Sequence, residues 1–131
     1  MQIHQSAEDY LETILMLTQR MGRVRSIDVV NELGFTKASV SIAMKKLREN
    51  GYIAVDGEGN LTLLAPGREI AERIYSRHRL LTHFFVQLGV DEEVAAEDAC
   101  KAEHILSEQT LKKIREYALL HDAEDSVQTS E

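Results

Sequence analysis

Apolar residues mark out the first half of the chain by their spacing. Tyr10, Leu11, Ile14, Leu15 and Leu17 recur every three to four residues, the spacing of one helix face, until Gly22 stops the run. Ser6 is the expected cap of this helix, with Asp9 three positions later. Ser26 is expected to cap a short helix over 27–33 that ends at Gly34, and Thr36 a third helix that runs to Asn50-Gly51 with Val40, Met44 and Leu47 inward. Two short helices separated by Gly34-Phe35-Thr36 have the helix-turn-helix pattern, in which the second helix enters the major groove of DNA. After Gly51 the period changes. Tyr52-Ile53-Ala54-Val55 and Leu61-Thr62-Leu63-Leu64 predict two strands joined by Asp56-Gly57-Glu58-Gly59-Asn60. A hairpin that follows a recognition helix directly is a wing.

The second half is helical throughout. Pro66 begins a long helix whose apolar side is Ile70, Ile74, Leu81, Phe84, Phe85 and Leu88, and Gly89 ends it. Asp91 is the expected cap of a helix over about 92–106, and Ser107 that of a last one over about 108–120 with Leu111, Ile114 and Ala118 inward. Residues 122–131 are polar, acidic and without period, as in a flexible tail. The expected fold class is therefore mainly α. A winged helix-turn-helix domain over 1–64 precedes a helical domain over 65–121 and an acidic tail over 122–131.

Composition narrows the setting. The chain has 131 residues, one Pro, no Trp and one Cys, which suits a compact helix-rich protein in a reducing cytoplasm. No apolar run approaches the roughly 20 residues of a membrane span. The net charge of −7 would disfavour nucleic acid if it were spread evenly, but it is not. Residues 1–90 carry 11 Lys+Arg and 10 Asp+Glu, whereas residues 91–131 carry 4 and 12. The segment 23–50 is locally positive, with Arg23, Arg25, Lys37, Lys45, Lys46 and Arg48 against Asp28, Glu32 and Glu49.

That basic segment coincides with the helix-turn-helix. Small residues at the front of its third helix allow close approach to a groove. Thr36, Ser39 and Ser41 can bond phosphate or base edges, Ala38 can meet a thymine methyl, and Arg25, Lys37 and Lys45 are the expected phosphate contacts. Ser26, at the front of the second helix, completes the set. The wing tip carries Asp56 and Glu58 and no cation, so the helix is expected to supply most of the affinity.

A second constellation is Cys100-Lys101-Ala102-Glu103-His104. Positions i, i+3 and i+4 share a helix face, which brings a thiol, a carboxylate and an imidazole within reach of one ion. A transition metal needs further donors. Other titratable residues have ordinary roles open to them: Asp9 beside a helix N-terminus, Glu12 at the surface, His78 in a core, and Cys100 itself as a small buried hydrophobe.

Three segments bear a resemblance to one family. Ser6-Ala7-Glu8-Asp9-Tyr10-Leu11-Glu12-Thr13-Ile14, Arg77-His78-Arg79-Leu80-Leu81 and Cys100 to Ser107, together with Leu88-Gly89-Val90-Asp91-Glu92-Glu93, resemble the matching segments of the diphtheria-toxin-repressor/MntR family. The likeness covers about residues 5–120, in order and at the family's spacings. It implies a metal-activated, homodimeric DNA-binding repressor, not an enzyme, with metal between its two lobes. By position it implies Asp9, Glu12, His78, Cys100, Glu103 and His104 as metal ligands. The chain is expected to be the two-domain form that lacks the SH3-like domain of many relatives. The manganese branch has a carboxylate where Cys100 stands, and iron-responsive relatives have methionine where Asp9 stands, so the six positions mix two patterns. Thr82 and Ala96 replace ligands of the ancillary site found in iron-type relatives. The implied ion is Mn(II) or Fe(II), with Zn(II) or Co(II) binding in vitro. The implied DNA partner is a near-palindromic double-stranded operator. Three alternatives stand beside this reading: a winged-helix regulator that responds to a small ligand or to Cys100 oxidation, a protein-interaction module of winged-helix fold, and a cysteine enzyme using Cys100 and His104. The last lacks a third orienting residue and an oxyanion hole.

Overall fold

A computed structural model describes the backbone of residues 5–129 and the side chains of residues 5–123. The order of elements is α1 (Gln5–Met21), α2 (Ser26–Leu33), α3 (Lys37–Glu49), β1 (Ile53–Val55), β2 (Leu61–Leu63), α4 (Ala65–Gln87), α5 (Glu92–Ala102) and α6 (Glu108–Thr129). Contacts divide the chain into two units, with the division after Arg73, inside α4.

In the first unit α1 packs on α2, α3 and β2, α2 on α3, and α3 on β1. Leu11, Ile14, Leu15 and Leu17 of α1 are buried, as are Val29 of α2, Val40, Met44 and Leu47 of α3, and Ile53, Leu61 and Leu63 of the hairpin. The alternation Leu61-Thr62-Leu63, buried–exposed–buried, is that of a strand with one wet face. β1 and β2 pair antiparallel with Ile53 opposite Leu63 and Val55 opposite Leu61. Asp56 holds the wing's loop. Its carboxylate accepts from the Glu58 amide at 2.9 Å, the Asn60 amide at 2.9 Å and the Asn60 side-chain amide at 3.1 Å. The bonds from Asn60 in particular hold its carboxyl below the ordinary carboxylate range.

The first turn of α4 belongs to this unit for a steric reason. A Cβ on Gly67 would lie 2.2 Å from the Tyr52 carbonyl oxygen, and Arg73 pairs with Glu8 at 3.3 Å. The contact division thus falls later than the 64/65 boundary expected from sequence. In the second unit Leu81, Ala99 and Leu111 form a core, flanked by Leu80, Phe85, Ala102, Leu106 and Ile114.

Several local expectations are corrected. Gln5 is already helical, so Ser6 lies inside α1 and does not cap it. The cap of α2 is Arg25, whose amide donates to the Asp28 carboxylate at 2.9 Å, and Ser26 is the first helical residue. Thr36 does cap α3, its hydroxyl accepting from the Ser39 amide at 3.1 Å, and Ser107 caps α6 by accepting from the Thr110 amide at 3.2 Å. Asp91 stands at the cap of α5 without a side-chain bond. Leu88, expected inward, lies in the turn after α4 and is 60% exposed. The last helix does not end near 120 but continues to Thr129, so the aperiodic tail expected from 122 is helical. Asp122 is anchored there by His83 Nε2 at 2.9 Å and by Gln87 Nε2 at 2.9 Å, contacts that no local pattern signals. Residues 1–4 of the expected first domain and 130–131 of the expected tail lie outside the described residues.

Candidate metal centre and nucleic-acid face

Donors gather around one carboxylate in the second unit. Glu103 is fully buried, and its Oε2 lies 3.0 Å from His78 Nδ1. Its Oε1 lies 3.4 Å from His104 Nε2, whose side chain is 2% exposed. That separation allows electrostatic contact, but Oε1 accepts no hydrogen bond among the described residues. Cys100 Sγ is within 4.8 Å of a Glu103 carboxylate oxygen, and the residue is exposed. One face of one helix does not carry this set, contrary to the expectation from spacing. α5 stops at Ala102, Glu103 keeps helical dihedrals as its cap, and His104 sits in a turn closed by the Ile105 amide on the Ala102 carbonyl at 3.1 Å. α4 supplies His78 from outside that segment.

Arg77, next to His78, holds the same turn by its backbone. Its guanidinium donates to the Glu103 carbonyl at 3.2 Å and pairs with Glu108. In the sequence Arg77 stands out only as part of the Arg77-His78-Arg79 segment, and its neighbour His78 is the signal that this stretch of α4 faces the donors.

Asp9 and Glu12 stand on successive turns of α1 in the first unit. Glu12 is buried at 5% exposure and Asp9 is half-buried. Burial first, and then the charge of Asp9, raise the Tyr10 phenol above its ordinary pKa.

The nucleic-acid candidates of the first unit are at the surface. Thr36, Lys37, Ala38, Ser39, Ser41 and Lys45 are all exposed, on or at the front of α3, and Ser26 is half-buried at the start of α2. Two are partly committed within the chain. The Thr36 hydroxyl caps α3 and donates to Ser39 Oγ at 2.9 Å, and the Arg25 guanidinium lies beside Gly59, where a Cβ would meet it at 3.2 Å. Arg25 also bridges to Asn60, so it is tied to the wing.

Residues 2–61 match the model of the iron dependent repressor N-terminal DNA binding domain. Residues 65–121 match that of the iron dependent repressor metal binding and dimerisation domain. The transcriptional regulator MntR of Bacillus subtilis is 32% identical over 121 residues, 92% of this chain and 85% of the relative. The chain belongs to the diphtheria-toxin-repressor/MntR family of metal-dependent transcriptional repressors. An uncharacterised HTH-type transcriptional regulator of Methanocaldococcus jannaschii is 34% identical over 113 residues, 85% of this chain and 90% of the relative. Among solved structures, a manganese-dependent transcriptional repressor in complex with manganese superposes with a TM-score of 0.78 at 28% identity, over 86% of this chain and 52% of that one. The chain thus spans about half the length of that structure. These relatives are transcriptional regulators, and no helix among the described residues is long and apolar enough to cross a membrane.

The residues present fit a divalent transition metal. A carboxylate with no exposure, one oxygen of which accepts no hydrogen bond, is costly unless a cation shares it. Two imidazoles and a thiol beside it are donors of the kind such an ion takes.

Proposed function

We propose that the chain is a metal-responsive repressor acting in the cytoplasm. In this reading Mn(II) or Fe(II) is held by His78, Cys100, Glu103 and His104 together with Asp9 and Glu12, and favours a homodimer that grips a near-palindromic operator. The buried Glu103 carboxylate, faced by His78 and His104, carries the proposal. When bound, the ion supplies positive charge to donors that otherwise oppose one another, and so favours the arrangement of the chain in which all of them reach it. His78 holds Glu103 by its Nδ1 contact, and Arg77 fixes the backbone from which Glu103 and His104 project. Lys37 and Lys45 meet phosphate while the front of α3 faces the bases. All three alternatives leave the buried carboxylate without a role, and catalysis forms no part of the proposal.

An anaerobic titration with Mn(II), Fe(II) and Zn(II), read by fluorescence anisotropy on a duplex selected from a random pool, tests it. Mn(II) or Fe(II) is expected to raise affinity at least about tenfold, within the usual range of coupling between sites. Glu103→Ala should erase that rise. Equal affinity with and without metal would sink the proposal.

A further inference from the structure

Ile42 of α3 is 58% exposed. Its neighbours on the helix explain why. Val40, Met44 and Leu47 are the buried positions, and at about 100° per residue Ile42 points to the opposite side. Ala38 lies one turn before it, and Ser41 and Lys45 lie beside it, all exposed. Ile42 borders the shallow groove that α3 makes with α1 and still remains largely in water. More than half of this branched apolar side chain, at the centre of the helix's outer face, is left uncovered by the fold.

The rest of that face limits what it can read. From Lys37 to Leu47 there is no Asn or Gln, the side chains that make bidentate pairs with adenine, and no Arg, so that only Lys37, Lys45 and Lys46 could pair with guanine. Ser39 and Ser41 can bond several base edges, and Ser39 Oγ already accepts from Thr36. The apolar feature of the major groove is the thymine methyl.

We propose that Ile42 reads a thymine methyl, so that each half of the bound DNA carries an A·T pair against it. The inference rests on the reading of α3 as the groove helix. Ile42 is then a specificity residue of α3, beside Ala38 at the front of the helix, and Lys37 and Lys45 meet phosphate and supply affinity without sequence preference.

The test uses the full chain with Mn(II). A duplex is selected from a pool with a random core and remade with deoxyuridine for thymine, which removes the methyl and keeps base pairing. Wild-type affinity is expected to fall about fourfold for each contacted methyl lost. Ile42→Ala should weaken binding to the thymine duplex by a similar factor and discriminate less between the two duplexes than wild type, whereas Ile42→Val should keep the discrimination. If Ile42→Ala discriminates as strongly as wild type while Lys37→Ala and Lys45→Ala weaken binding, the inference falls and the groove reading stands. If neither lysine variant alters affinity, both fall.

Discussion

A thiolate and a carboxylate at one ligand position differ more in softness than in reach. As a proposed ligand, Cys100 therefore bears on which ion is preferred more than on whether one binds. The structure puts its sulfur beside Glu103 yet leaves the residue exposed, so its replacement removes little packing. Stability of Cys100→Ser should stay within about 0.5 kcal/mol of wild type, as for most surface substitutions. Its metal preferences should not. Thiolate favours Zn(II) and Co(II), whereas the carboxylates suit Mn(II). Cys100→Ser is expected to lose about tenfold or more in Zn(II) affinity and to change little toward Mn(II). The Co(II)-loaded wild type should absorb in the near ultraviolet by charge transfer from sulfur, and Co(II)-loaded Cys100→Ser should not. Identical Co(II) spectra would remove the thiol from the ligand set.

Gly67 shows how an element's position reverses a helix-propensity rule. Glycine to alanine inside a helix ordinarily stabilises by about 1 kcal/mol. At Gly67 the new Cβ would meet the Tyr52 carbonyl at 2.2 Å, so α4 would have to leave the hairpin. Gly67→Ala is expected to destabilise the first unit by about 2 kcal/mol or more, read by denaturant unfolding; an increase in stability would show that this close approach does not exist. Nothing in the spacing of residues 65–87 signals it, because the contact is to a backbone atom of another element. The same holds elsewhere. Thr36, the hairpin and the inward stripe of α3 are legible because cap, turn and period are local patterns. The end of α5 is not, since Ala102 to Leu106 contains neither Gly nor Pro, and the turn is closed by bonds to the Ala102 carbonyl and held by Arg77 of α4. The extension of α6 is not either, since its acidic residues lack an apolar period and Asp122 is held by His83 and Gln87 of α4. Among the proposed metal donors, burial is what the sequence does not signal: Glu103 at 0% and an exposed Cys100 are equally good helix-face residues on paper.

For the whole molecule, the uneven charge raises the question of how metal would promote DNA binding. The net charge is −7, with the excess of acid in residues 91–131, so one route open to a bound cation is simply to lessen repulsion from phosphate. The alternative is that metal favours an arrangement in which the same cations meet the same phosphates. Salt separates the two. If Arg25, Lys37 and Lys45 of each protomer meet phosphate, a dimer neutralises about six, and log affinity should fall with log salt at a slope near −5. Long-range repulsion is screened over about 8 Å at physiological ionic strength, so any advantage that metal gains from it shrinks as salt rises. A shift in population is insensitive to such screening, because it changes how often the binding form is present and not the contacts that form makes. The expected result is two parallel lines of log affinity against log salt, with and without Mn(II), about tenfold or more apart across the range. Lys45→Ala should flatten both by about 2, one phosphate per protomer. Lines that converge at high salt would mean that the ion acts through its charge, and that Asp9, Glu12 and the Glu103 cluster need not be drawn to one ion for the protein to bind DNA.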